Sequence, residues 1–287
     1  MKASLDCIPC LVRQSLEIAR IVTADTGVHE QILREVLSWA VEMDMSQSPP
    51  VMAQRIHRKL CKITGAKDPY REAKAAQNRM AMRILGELKS EIDALDDPLI
   101  TAARIAIAGN VIDMGINGDV TVSNIKASIA KALTVPLVGD QINFIKAAGR
   151  AEKIFYLCDN AGEIVFDSLL IKALGPSRVT VVVRGAPILN DATLEDAIST
   201  GLDQIVEVID NGSDVPGTLL DDCSDKFRQG FMEADLIIAK GQGNFETLSD
   251  VSGPIFFLFQ AKCPVIAKHA GVPLKAHVIR TSAGEEK

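Results

Sequence analysis

The hydrophobic pattern changes period about halfway along the chain. Through residue 133 apolar positions recur at near-helical spacing, as with Leu11, Leu16, Ile18 and Val22. This pattern predicts helices at 5–21, 28–45, 52–63, 70–95, 99–108 and 122–133. Pro49-Pro50 breaks the chain before the third, and Asp68-Pro69 and Asp97-Pro98 each place a capping acid before a proline at the first helical position. Further on, short β-rich runs at 154–157, 179–183, 205–208, 236–239 and 255–258 alternate with amphipathic segments. Such alternation implies a parallel sheet with helices on both faces, and Val278-Ile279 within 276–280 could add a last strand. The expectation is an α/β fold: an all-helical N-terminal domain at 1–133, then an αβα parallel-sheet domain at 134–287.

Composition narrows the function. At 287 residues and 47% apolar the chain can bury a sizeable core, and with only 4% aromatics that core is mostly aliphatic. A net charge of −6 argues against broad nucleic-acid binding but leaves an anionic small substrate open. The first residues lack the apolar run of a signal peptide, and the longest apolar stretches, such as 255–259, are too short to span a bilayer. A soluble cytoplasmic protein with no membrane partner is expected. Six cysteines in so long a chain are not a disulfide framework. Cys7 and Cys10 form one Cys-x-x-Cys, without the second pair a zinc site needs, so a packed structural pair is expected, with Cys263 able to meet it in space.

Three strand-to-helix junctions concentrate polar chemistry. They are Asp159-Asn160-Ala-Gly-Glu163, Arg184 through Asn190-Asp191-Ala-Thr193, and Lys240-Gly241-Gln242-Gly243-Asn244. In a parallel sheet all three lie on the carboxyl rim, where open α/β proteins place ligands. Asp159, Asn160 and Asp191 make an oxygen-only set for magnesium or manganese. Lys240 with the Gly241 and Gly243 amides makes a phosphate cradle. Any one junction alone is equally well read as turn and cap residues; Asp191 or Asn190, for instance, could cap the helix at 193–199. In the helical half, Gly109-Asn110-Val-Ile-Asp113-Met-Gly115 suggests a break where side chains approach the site.

These elements together resemble the damage-control phosphatases. The resemblance rests on Cys7-x-x-Cys10, Asp68-Pro-Tyr-x-x-x-Lys74, Gly109-Asn110-x-x-Asp113, the Asp159–Glu163 and Asn190–Thr193 junctions, and Lys240-Gly-x-x-Asn244. It covers almost the whole chain, and its first two elements look like the archaeal and bacterial branch. It implies a Rossmann-like αβα part and a metal-dependent phosphomonoester hydrolase acting on small phosphorylated metabolites such as sugar phosphates. The cofactor would be a divalent ion (Mg2+, Mn2+, Ni2+ or Co2+) on Asp159, Asn160 and Asp191. Lys240 and Asn244 would face the phosphate, with Asn110, Asp113, Glu163 and Arg184 nearby. Asp159 or Asp191 would be the general base for a metal-bound water, or Asp159 the nucleophile of an aspartyl-phosphate route. Gln242 stands where relatives from eukaryotes usually carry an acid. The rival expectations are an S-adenosylmethionine-dependent carboxyl methyltransferase and a non-catalytic phosphometabolite-binding protein.

Overall fold

The computed structural model describes residues 1–110 and 122–282. Six helices come first: α1 (Cys7–Val22), α2 (Thr26–Val41), α3 (Pro49–Thr64), α4 (Arg71–Asp93), α5 (Pro98–Gly109) and α6 (Val122–Thr134). Helices α1 to α3 pack around Leu11, Ile18, Ile32, Val36, Ile56 and Leu60. On α1 the inward residues Leu11, Ser15, Ile18 and Ala19 make one helical stripe. Asp97 caps α5 through the Ile100 amide, with Pro98 as its first residue. The Asp68-Pro69 start falls differently, because α4 begins at Arg71 and Asp68 accepts the Tyr70 amide at 3.0 Å.

Among the described residues the sheet has seven strands: β1 (Leu137–Gly139), β2 (Ile154–Leu157), β3 (Val179–Val183), β4 (Glu207–Asp210), β5 (Leu236–Lys240), β6 (Ile255–Gln260) and β7 (His277–Thr281). Their order is β1-β7-β6-β5-β2-β3-β4. Helices α7 (Gln141–Arg150), α8 (Glu163–Leu174), α9 (Leu194–Ser199), α10 (Asp225–Glu233), α11 (Gly241–Leu248) and α12 (Pro264–Ala270) connect them. One face buries Ile154, Tyr156, Val181, Ile238 and Leu258 in a cluster shared with α4, α5 and α8. The other buries Leu157, Val182, Ile237 and Phe257 against Phe227, Phe231 and Phe245. Both faces are covered, which is why the central strands are apolar throughout.

Two features depart from the expected parallel sheet. Strand β7 runs antiparallel to β6, although it pairs parallel with β1. The reason is local: Ala261 donates to the Ala276 carbonyl at 3.0 Å and accepts from the Lys275 amide at 2.8 Å. The chain thus folds back onto its own exit from β6, and α12 sits in the loop of a wide hairpin. Strand β4 begins at Glu207 because Leu202–Gln204 form a 3-10 turn that absorbs Ile205 and Val206.

Strand β2 has β3 on one side and β5 on the other. The chain proceeds from β2 to β3 and β4, then crosses back to β5. The carboxyl ends of β2 and β5 therefore flank a topological switch point, where α/β sheets open a ligand crevice.

Candidate functional site

The turns after β2 and β3 are zipped together. Ala161 donates its amide to Asn190 O and Ala192 donates to Asp159 O, both at 2.8 Å, and Asn160 and Asp191 form an isolated antiparallel bridge. This brings Asp159, Asn160 and Asp191 to one place. Neither Asn190 nor Asp191 caps α9; Thr193 does so, in a reciprocal capping box with Asp196. The Asp191 carboxylate instead accepts from Arg184 Nε at 2.7 Å, with both residues buried.

A buried polar network lies beneath this set. Asn110, at the end of α5, donates from Nδ2 to Asp159 Oδ2 and to Glu163 Oε2, each at 2.7 Å. Asn160 Nδ2 reaches the same two oxygens at 2.9 and 3.3 Å. Gly109 permits the approach: a Cβ there would lie 3.1 Å from the Phe166 ring and 3.4 Å from Glu163 Cγ. Asn110 is thereby placed against Asp159 and Glu163; Asp113 lies outside the described residues.

Lys240 is held differently from a phosphate cradle. Its ammonium is fully buried and donates to Asp167 Oδ1 at 2.6 Å, Glu163 Oε1 at 2.7 Å and Ala106 O at 3.0 Å. An ammonium has three N–H groups, and all three are used. Burial works against its charge, but Asp167 and Glu163 more than offset this and hold its pKa above the ordinary lysine range. Burial pushes Asp167 up to about 6 despite Lys240. Asn244 is likewise engaged inward, donating to Lys240 O and Cys158 O and accepting from Thr218 Oγ1. Lys240 and Asn244 thus brace the junction after β5.

The charge balance of the crevice is unusual. Burial first, then the charges of Glu163 and Asp191, raise the Asp159 carboxyl well above the usual range. Lys262 and Arg184 pull the other way. Lys262, between β6 and α12, belongs to no motif; its only signal in the sequence is a polar residue after an apolar strand, as at the three junctions above. Among the described residues, three hydrogen-bonding atoms of the buried network stay unpartnered: Asn110 Oδ1, Arg184 Nη1 and, deeper, Asp167 Oδ2. Crowded carboxylates with an orphaned amide oxygen suit a hard cation, and an orphaned guanidinium N–H suits an anion. Among the described residues no group of three His, Cys, Asp or Glu side chains is arranged for a metal; this set has two carboxylates and an amide. Leu189, Gln242, Gly243 and Lys262 also line a cavity of about 530 Å3 together with Cys7, Cys10 and Cys263. The three cysteines therefore do share one place, as free thiols.

The chain is thus an αβα protein with acids and an arginine gathered at its switch point, where such sheets bind ligands. The chain matches the damage-control phosphatase ARMT1-like domain family over residues 3–278. It is 38% identical to a damage-control phosphatase of Archaeoglobus fulgidus over 284 residues, covering 95% of this chain and 96% of that one. It is 34% identical to a damage-control phosphatase of Pyrococcus horikoshii, covering 97% of each. The crystal structure of a DUF89 family protein from Pyrococcus horikoshii superposes with a TM-score of 0.90 at 32% identity, over 98% of this chain and 99% of that chain. The chain belongs to the damage-control phosphatase family, and it is a phosphatase.

Proposed function

We propose that this phosphatase hydrolyses small phosphorylated metabolites with a divalent cation held by Asp159, Asn160 and Asp191. The observation that carries the reading is the crowding of Asp159, Glu163 and Asp191 around one crevice, which raises Asp159 and calls for added positive charge. Once bound, such a cation would neutralise phosphate oxygens and lower the pKa of a water. The chain's own groups supply the rest. Both amide donors to Asp159 go to Oδ2, so Oδ1 takes neither and is available to accept a proton from water or to attack phosphorus. The Arg184 Nη1 donor and the Lys262 ammonium bring positive charge for the phosphate. Lys240 and Asn110 fix Glu163, and Glu163 in turn orients the Asn160 amide. Lys262 also lines a cavity of a size for a small ligand, whose walls do not include Asp159, Asn160, Asp191 or Arg184.

The test is hydrolysis of p-nitrophenyl phosphate and a panel of sugar phosphates after chelation, with Mg2+, Mn2+, Ni2+ or Co2+ restored one at a time. Activity that returns with a divalent ion is expected. Hydrolysis indifferent to chelation, methyl transfer from S-adenosylmethionine, or a phosphate ligand bound and left intact would each defeat the reading.

A further inference from the structure

Asn78 stands on α4, far in sequence from both site turns, yet it is buried, bonded to one of them and linked to the other through Asp196 of α9. Its Oδ1 accepts the Gly162 amide at 2.6 Å, at the end of the turn that carries Asp159 and Asn160. Its Nδ2 donates to Asp196 Oδ1 at 3.0 Å and to Ser199 Oγ at 3.3 Å. Asp196 uses its other oxygen on the turn that carries Asp191, accepting the Thr193 amide at 2.9 Å and the Thr193 hydroxyl at 2.8 Å. One helical turn before Asn78, Lys74 pairs with that same Asp196 oxygen at 3.1 Å and with Asp68 at 3.0 Å. A single amide thus spans the two turns, and the Asp68–Lys74 pair holds its acidic partner in place.

We propose that Asn78 is a positioning residue for the reaction: it sets the spacing of the Asp159-Asn160 pair relative to Asp191. The inference rests on the reading of those three residues as the cation site. The helical half thereby has an indirect part in the chemistry, through bonds that touch neither substrate nor cation. A buried amide that only filled space would have no need to accept from one turn and donate to the acid that caps the other. Reversing the polarity of the second bond separates the two roles. Asn78→Asp alone sets two carboxylates against each other, whereas Asn78→Asp with Asp196→Asn restores a donor facing an acceptor and keeps an oxygen for Gly162.

The experiment compares wild type, Asn78→Ala, Asn78→Asp and the Asn78→Asp/Asp196→Asn pair. It measures kcat and KM for p-nitrophenyl phosphate, Mn2+ affinity by calorimetry, hydrogen exchange of the Gly162 amide, and thermal melting. For Asn78→Ala and Asn78→Asp we expect kcat and Mn2+ affinity to fall by at least ~10-fold, as for a site displaced by a fraction of an ångström. KM should stay within ~3-fold, because the substrate contacts remain. Gly162 should exchange faster, and the reversed pair should regain most of each loss. Wild-type kcat and Mn2+ affinity in Asn78→Ala, or a reversed pair no better than Asn78→Asp, would overturn the proposal alone. A wild-type protein without cation-dependent hydrolysis would overturn the underlying reading and this one with it.

Discussion

Gly241 and Asp159 pack so closely that a methyl group on Gly241 would fall 1.9 Å from Asp159 Oδ2. Gly241 also has φ +78°, a conformation that a side chain strains. Gly241→Ala should therefore displace Asp159 from its two amide donors. The expected outcome is a loss of turnover of at least ~100-fold with the far-UV spectrum unchanged, because misplacement of about 1 Å has that effect on catalysis. Kinetics near wild type would mean that this contact does not set the site.

Burial, then the charges of Glu163 and Asp191, disfavour the ionised form of Asp159, so removing its charge should help the fold while ending the function. Asp159→Asn should melt no lower than wild type in chelator, should lose stabilisation by Mn2+, and should hydrolyse nothing measurable. Calorimetry and melting curves with and without Mn2+ check this. Tight stoichiometric Mn2+ retained by an Asp159→Ala/Asp191→Ala variant would remove both residues from the cation site.

Lys240 should be a stability residue first. Lys240→Met leaves Glu163 and Asp167 buried without their cation, a loss of about 3–5 kcal/mol for a broken buried pair. Urea titration should show the midpoint falling accordingly, with activity lost through Glu163. A variant of wild-type stability whose KM for phosphate esters rises tenfold would return Lys240 to the substrate.

Glu246 predicts a pH effect away from the cation site. Loss of surrounding water lifts its carboxyl from 4.5 to about 7, although Gln242 donates to it at 2.7 Å. The folded protein thus holds this proton more tightly than the unfolded chain does. Its contribution to stability is complete below pH 4.5, declines as pH rises, and is gone once pH passes about 7. Glu246→Gln should match wild type near pH 4 and exceed it near pH 8 by on the order of 1–3 kcal/mol. Denaturant titrations at the two pH values decide; an equal difference at both would show that the carboxyl does not titrate in that range.

Cys7 and Cys10 line the cavity beside the site but bond to none of its residues. Cys7→Ser/Cys10→Ser is expected to hydrolyse p-nitrophenyl phosphate at close to the wild-type rate with a lower melting temperature. Loss of turnover in a folded double variant, or zinc bound to wild type and absent from the variant, would assign the thiols a function of their own.

Local pattern carried much of the reading, because buried strands and capped helices announce themselves over a few residues. The runs at 154–157 and 179–183 coincide with β2 and β3, each bounded by turn residues. The meeting of Asp159, Asn160 and Asp191 follows from parallel strands whose carboxyl ends share a rim. What stayed hidden depends on distant partners. Three-residue β1 has no period to detect, and the direction of β7 is set by Ala261 pairing with the chain fourteen and fifteen positions later. Lys240 looked free in the sequence because Glu163 and Asp167, one turn apart on α8, become its partners only when β2 and β5 pair. Asn78 was invisible for the same reason: an asparagine on a charged helix gives no sign that both ends of its amide are spoken for.

The position of β7 bears on the order of assembly. It separates β1 from β6, so Leu137 can find its place only beside His277, 140 positions later. During synthesis five strands can align from β2 to β6 while β1 and the helix after it wait for β7 to emerge. A chain cut at Ala276 would lose two strands rather than one and expose the Phe256 edge of β6. Emergence of β7, not the making of the central sheet, would then be the event that closes this fold.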